Sequence, residues 1–367
     1  LVFELVAGAG LYHFPLVPTS GALPPHADRL GRPLAQLRIS VTDRCNFRCT
    51  YCMPREKYAD HRYLPKRAIL SFEEIVRVTR VLRGLGVRKV RLTGGEPLLR
   101  RDLPVLVEQL AGLGVELALT TNGTKLRELA PALRAAGLGR LTLSLDTLED
   151  ATFQTLADAP GFVVADVLAG LDAAVQAGFS SVKINCVVRR DLMDRQIEPL
   201  VRHFRGTGHV LRFIEYMDVG MKNGWRAADV VSGQEILERI GRLYPLSPVP
   251  RGERGDVAER YRLLDGSLEI GLVTSISQPF CEACDRLRLS ADGQVFTCLF
   301  ASQGHDLKAL LREGGTDDEL FARLSGIWSR RGDRYSAERA EAIAANPAQG
   351  GRRLPLLPRV EMPFIGG

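Results

Sequence analysis

The strongest constraint on this chain is a rhythm. From Leu34 on, short runs rich in β-branched and aliphatic residues alternate with longer segments of helical pattern, the order that builds repeated βα units around parallel strands. The pattern predicts strands over 34–42, 87–93, 115–122, 140–146, 181–188 and 210–217. Helices fall between them. The stretch SFEE, Ser71–Glu74, reads as a capping-box start, and Asp102 reads as the N-cap of a helix that stops near Gly112 and Gly114. Six such units in series make a curved parallel sheet, too few for a closed eight-stranded barrel.

Within each predicted strand the alternation assigns two faces. One is Leu, Val or Ile and suits packing against helices. The other is polar: Arg38, Ser40 and Thr42; Lys89, Arg91 and Thr93; Thr120 and Asn122; Thr142, Ser144 and Asp146; Lys183 and Asn185. A closed barrel fills its interior with branched apolar side chains, so five polar inner faces imply an open lumen around a large polar ligand. Arg38, Lys89, Arg91 and Lys183 make that ligand anionic.

The 367 residues suggest one large domain and a smaller one. After residue 218 the rhythm fails. A helix is expected from Ser232, strands near 260–264, 268–274 and 286–290, a hairpin turn at Asp292–Gly293, and helix over 304 to about 331 with a second capping box at Thr316–Glu319. The resulting division is a flexible leader over 1–30, a barrel over 31–217, a second domain over 218–331 and an extended tail over 332–367. Hydrophobic content of 45% and charged content of 25% are ordinary for a globular chain. No apolar run reaches the ~18 residues of a membrane span, and no basic region precedes the apolar start as a signal peptide requires. The net charge of +6 comes without a lysine or arginine run, so an anionic small ligand explains it as well as nucleic acid does.

Seven cysteines are an odd number, and six fall into two triplets, Cys45, Cys49 and Cys52, then Cys281, Cys284 and Cys298. Such clustering reads as metal or cluster ligation in a reducing, cytoplasmic compartment. Neither triplet has a fourth cysteine. Zinc wants four ligands, and His305 is the only local candidate at the second triplet; His203 and His209 show no metal spacing. A cubane cluster held by three thiolates leaves one iron open to an external ligand. Cys186 sits on the apolar side of its strand and reads as core.

The first triplet, C-x3-C-x2-C straight after the first strand, resembles the signature of the radical S-adenosylmethionine enzymes. The resemblance implies that the methionyl amine and carboxylate of S-adenosylmethionine chelate the open iron, and that one electron cleaves the sulfonium to a 5′-deoxyadenosyl radical. It also implies that TGGEP, Thr93–Pro97, holds the cofactor's amino group, with Glu96 facing the ammonium and two glycines allowing close approach. The wider set, LRISVTDRCNFRCTYC, KVRLTGGEPLLR, LTTNG, LSLD, VKINCVV, RFIEYMDVG, C-x2-C-x-R-x-R-L with a third cysteine fourteen residues on, and a terminal Gly-Gly, is similar to the GTP 3′,8-cyclase family from Leu37 onward.

That family resemblance implies a fold, cofactors and sites. The fold is α/β, a partial (β/α)6 TIM-like barrel with a C-terminal α+β domain carrying an auxiliary iron–sulfur cluster. The cofactors are two [4Fe-4S] clusters, on the two cysteine triplets, and S-adenosyl-L-methionine. Arg38, Arg91, Thr120, Lys183 and the Arg286, Leu287, Arg288 run would contact GTP; Tyr51, Gly95, Glu96, Ser144 and Met217 would contact S-adenosylmethionine; Gly366 and Gly367 would reach into the active site. The implied reaction abstracts the ribose C3′ hydrogen and joins C3′ to guanine C8, with guanine on the open iron of the second cluster. The implied partners are a one-electron donor, flavodoxin-like or equivalent, a downstream cyclic pyranopterin monophosphate synthase, and a second copy in a homodimer, with no nucleic acid or membrane. Two departures from the family are the long leader and an Arg/Ala-rich insertion near 330–352. Two other readings stay open on the residues alone: a peptide-modifying maturase with an auxiliary cluster, and a zinc-dependent nucleic-acid module.

Overall fold

The computed structural model describes residues 26–345, apart from 251, 253 and 254, together with 359–366. Residues 1–25 of the expected leader over 1–30, residues 346–352 of the Arg/Ala-rich insertion, and Gly367 lie outside the described residues.

The six expected strands form as β1 Gln36–Ser40, β2 Lys89–Thr93, β3 Glu116–Thr121, β4 Arg140–Ser144, β5 Lys183–Val188 and β6 Val210–Glu215, each paired in parallel with the next. Six more strands follow: β7 Leu246–Val249, β8 Glu259–Leu263, β9 Glu269–Val273, β10 Arg286–Leu289, β11 Gln294–Phe296 and β12 His305–Asp306. They extend the sheet at both ends. β9 lies parallel to β6, and β10 lies parallel to β1, in the register Gln36↔Arg286 and Arg38↔Arg288. Eight parallel strands thus curve around one lumen, flanked by antiparallel β8–β7 and β11–β12. No ladder joins β9 to β10. Residues 274–285 bridge that seam, and Glu215 pins their start, its buried carboxylate accepting from the backbone N–H of Ile276 and Ser277 at 2.8 and 2.9 Å and of Gly233 at 2.8 Å.

The outward faces carry the core. Leu37, Ile39, Leu92, Leu119, Leu143, Ile184, Cys186, Phe213, Ile270, Leu287 and Leu289 are sealed between sheet and helices. The helices start largely where local chemistry says: Ser71 and Glu74 make a reciprocal capping box for Phe72–Gly84, Ser232 accepts from Glu235 for Gly233–Gly241, and Thr316 with Glu319 caps Asp317–Ser329. Asp102 does stand at the N-cap of Leu103–Ala111, but its left-handed backbone, φ 58°, turns the side chain away and it makes no capping bond. Helix over 304–331 is interrupted, with β12 and Lys308–Arg312 preceding Asp317–Ser329. The expected extended tail contains the helix Tyr335–Ala345, whose YSAERAEAIAA composition favours helix on propensity alone. Residues 26–30 are not loose either. Asp28 is buried, and Arg29 N–H bonds Arg331 O at 3.1 Å. No helix among the described residues is long and apolar enough to cross a membrane.

Candidate active site

All six clustered cysteines line one cavity of about 750 Å³ that runs through the lumen. They sit at its opposite ends. The first triplet follows β1, at the C-terminal ends of the parallel strands, whereas Cys281 and Cys284 precede β10 and Cys298 follows antiparallel β11, at the N-terminal ends. A five-residue strand such as β1, about 13 Å between its end Cα atoms, separates the two levels.

The first triplet is held by its own backbone and its neighbours. Arg48 N–H bonds Ala157 O at 2.8 Å and Thr50 N–H bonds Leu156 O at 2.9 Å, while the Arg48 guanidinium donates to Cys45 O and Phe47 O at 2.7 Å each. Gly94, at φ +142°, and Gly95 lie against the same loop: a Cβ on either would collide with the carbonyl of Thr42 or Arg44. The two glycines of TGGEP permit close approach of loop to loop, and both also line the cavity. Glu96 is partly engaged by the protein. Its oxygens already accept from Thr121 Oγ1 at 2.7 Å, Asn122 N at 2.8 Å and Leu98 N at 3.0 Å, leaving one of about four lone-pair directions for an ammonium. Tyr51 Oη donates to Asp146 Oδ2 at 2.6 Å, and Asp146 Oδ1 accepts from Val187 N at 2.8 Å.

Burial, then the Glu96 carboxylate, pushes the Cys45 thiol up to about 12, and burial with the two other thiols pushes Cys49 up as well. Burial likewise pushes Cys298 up to about 12. Among the described residues no three His, Cys, Asp or Glu side chains are gathered to hold one metal ion. Three thiols at each end of the cavity are the donor set a cubane would use, each cysteine serving a different iron. His305, the zinc reading's fourth ligand, is exposed on β12 and lines no part of the cavity. All seven cysteines are unpaired, and Cys186 is fully buried in the core.

Between the two ends runs a band of cations. Arg91 Nη1 donates to the hydroxyls of Thr120 and Thr142 at 3.1 and 3.0 Å, and Lys183 lies beside Thr142 in the ladder. Arg38 Nε and Arg212 Nε are buried without a hydrogen-bond partner among the described residues. Burial, then Arg288, Arg286, Arg91 and Arg212, holds Arg38 well below the usual arginine range. Burial, then Arg212, Arg140 and Arg91, brings Lys183 down to about 8. Such mutual repulsion, with orphaned N–H groups, describes a place for a polyanion.

Arg286 and Arg288 do separate jobs. Arg286 stacks on Phe280 at 5.2 Å and faces Cys284; Arg288 donates to the carbonyl of Ile365, at 3.2 Å, and to that of Gly366. The last described residues are thus held against β1 and β2, and Met362 lines the cavity: Gly366, at φ +71°, lies against Ser40 and Thr93, where a Cβ would stand 2.6 Å from Thr93 Cγ2. Arg359 on Asp218, at 2.6 Å, and Glu361 on Met221 N, at 3.1 Å, hold the approach to it. Of the expected site residues, Tyr51, Gly95, Glu96, Ser144, Met217, Arg38, Arg91, Thr120, Lys183, Arg286 and Arg288 line the cavity. Leu287 does not; its side chain is in the core, on the other face of β10. Arg212 was missed, although it alternates with Leu211 and Phe213 in the expected strand and points inward.

The Radical SAM superfamily profile matches residues 39–204, and the Molybdenum Cofactor Synthesis C profile matches residues 209–337. The chain is 51% identical over 360 residues to the GTP 3′,8-cyclase of Acidothermus cellulolyticus, covering 94% of this chain and 99% of that protein. It is 46% identical to the GTP 3′,8-cyclase of Staphylococcus saprophyticus, covering 93% and 98%. Among solved structures, Streptococcus suis SuiB bound to S-adenosylmethionine is similar in fold, with a TM-score of 0.57 at 17% identity over 83% of this chain and 69% of that one.

Proposed function

The chain belongs to the GTP 3′,8-cyclase family of radical S-adenosylmethionine enzymes, and from that premise we propose how its residues divide the work. The reaction converts GTP to (8S)-3′,8-cyclo-7,8-dihydroguanosine 5′-triphosphate in molybdenum cofactor biosynthesis, with S-adenosylmethionine and iron–sulfur clusters as cofactors. Cys45, Cys49 and Cys52 hold one [4Fe-4S] cluster, and Cys281, Cys284 and Cys298 hold the other. When bound, the first cluster supplies the electron that cleaves S-adenosylmethionine to methionine and the 5′-deoxyadenosyl radical. That chemistry would join ribose C3′ to guanine C8 and, with one electron and one proton returned for the hydrogen atom removed, give an isomer of GTP.

The protein's part is binding and exclusion. Tyr51, Gly95, Glu96, Ser144 and Met217 surround S-adenosylmethionine, with the Tyr51 hydroxyl fixed by Asp146. Arg38, Arg91, Lys183 and Arg212 neutralise the triphosphate, with Thr120 and Thr142 orienting Arg91. Arg286 and Arg288 border the nucleoside end, Leu287 contributing backbone alone. Arg288 holds the tail at Ile365 and Gly366, and this tail is assigned the task of keeping water and stray hydrogen donors from the radical. The single observation that carries this assignment is the cation band with orphaned Arg38 and Arg212 N–H groups between two three-thiol ends of one cavity.

The division into a barrel over 31–217, a cluster and substrate domain over 218–331 and a tail over 332–367 belongs to the same reading. So do a flavodoxin-like or equivalent electron donor, a following cyclic pyranopterin monophosphate synthase, a homodimer and a cytoplasmic site of action without nucleic acid.

Anaerobically reconstituted protein should bind about eight irons per chain. With dithionite, S-adenosylmethionine and GTP it should form 5′-deoxyadenosine only when GTP is present, plus a product of GTP's own mass. Eight irons with no GTP-dependent turnover would overturn the substrate assignment; zinc in place of iron would overturn the cluster ligands.

A further inference from the structure

The second triplet is wrapped by two arginines from distant parts of the chain. Arg331, just past the helix Asp317–Ser329, donates through Nη2 to Cys284 Sγ at 3.1 Å and through Nη1 to Cys284 O at 2.7 Å. Arg32, before β1, donates through Nη1 to Cys281 O at 2.8 Å. Both side chains are 1% exposed and both line the cavity. Arg32 Nη2 is buried with no hydrogen-bond partner among the described residues.

Their charge is only partly met by protein. One fully buried carboxylate, Asp28, serves both, at 2.6 Å from Arg32 Nε and 3.3 Å from Arg331 Nη1; Asp333, 36% exposed, comes no closer than 3.6 Å to Arg331 Nε. A buried guanidinium with a spare N–H beside a thiolate ligand is stabilised by added negative charge at that site. A reduced iron–sulfur cluster is one electron more negative than its oxidised form, and hydrogen bonds to cluster sulfurs are among the levers that set the potential.

We propose that Arg32 and Arg331 are positioning residues of the second cluster, gripping the Cys281–Cys284 turn and donating N–H groups to the cluster's sulfurs, so that its reduction potential is raised. The proposal rests on the assignment of the second triplet to a cluster. Arg331 fixes the sulfur of one ligand, Arg32 offers its spare Nη2 to the sulfurs nearest Cys281, and Asp28 keeps both guanidiniums in register.

The test is a potentiometric titration of the anaerobically reconstituted full-length protein, read by electron paramagnetic resonance, for the wild type, Arg331→Gln and Arg331→Lys. S-adenosylmethionine perturbs the first cluster's signal and so identifies the second as the insensitive one. Arg331→Gln should shift the insensitive signal to lower potential and leave the sensitive one in place; Arg331→Lys, which keeps the charge and one donor, should recover at least half of the shift. If Arg331→Gln fails to retain iron at the second triplet, Arg331→Lys decides, a smaller shift in the same direction supporting the proposal. Unmoved potentials in an eight-iron Arg331→Lys and Arg331→Gln pair would overturn it alone. A wild type that binds only about four irons would overturn the two-cluster reading and this proposal with it.

Discussion

The two cysteine triplets have the same number of ligands and opposite surroundings. Around the first stand carboxylates: burial raises all three thiols, and Glu96 adds to it at Cys45, while Asp146 at Cys49 and Glu361 at Cys52 add less than the neighbouring thiols do. Around the second stand guanidiniums. Burial pushes the Cys284 thiol up, but Arg286 and Arg331 outweigh it and bring it down to about 6. The contrast teaches that two identical ligand counts can sit in fields of opposite sign: on the proposed assignment, carboxylates border the end that takes a zwitterion with an ammonium, and guanidiniums border the end that takes the nucleoside of an anionic nucleotide.

The comparison is broken most directly at the ligands. Cys49→Ala should abolish 5′-deoxyadenosine formation and leave about four irons, with equilibrium GTP binding retained; Cys298→Ala should lose the other set and impair GTP binding. Loss of the same ligand from both variants, measured by iron assay and isothermal titration, would erase the distinction between the two ends. Next in size is Arg212→Gln. Removing a buried guanidinium from the phosphate band should weaken GTP binding about 10- to 100-fold, from roughly 1.5–3 kcal/mol for a charged hydrogen bond, with S-adenosylmethionine affinity unchanged.

A smaller effect comes from pH. Lys183, brought down to about 8 in the free protein, is charged below that value and neutral above it, and a triphosphate binds the charged form. The dissociation constant for GTP should therefore rise about tenfold between pH 7.5 and 9, and Lys183→Met should flatten that rise on top of a general weakening. The smallest is Tyr51→Phe, which removes the hydroxyl held by Asp146. Loss of one hydrogen bond worth about 1 kcal/mol should cost about fivefold in S-adenosylmethionine affinity and nothing in GTP affinity.

The strands were legible because an inward Arg, Lys or Thr alternates with an outward Leu, Val or Ile, and that period of two survives without knowledge of any partner. Arg212 obeyed the same rule and was overlooked within a strand otherwise read. The pairing of β10 with β1 was not legible, since Leu287 and Leu37 are 250 residues apart and each strand looks the same from its own sequence whichever neighbour it takes. Arg32 and Arg331 were hidden for the same reason. Each acts on Cys281 or Cys284 through the fold, and nothing in the residues beside either arginine signals it. At Asp102 the local pattern was right and its chemistry absent, because backbone conformation, not residue type, aims a capping side chain.

β1 is bordered by β2 on one edge and β10 on the other, and this order has a consequence for synthesis. A ribosome adding about 5–20 residues per second reaches β2 within about 10 s of β1 but reaches β10 only after about 12–50 s. Through that interval the free edge of β1 has no strand to pair with, and an unpaired edge is the part of a growing sheet most open to wrong partners. The first triplet is complete on the nascent chain soon after β1, whereas the second is complete only when residue 298 has emerged. The ligands of the two ends thus become available in sequence, and the strand that completes the second edge of β1 is among the last of the parallel strands to emerge.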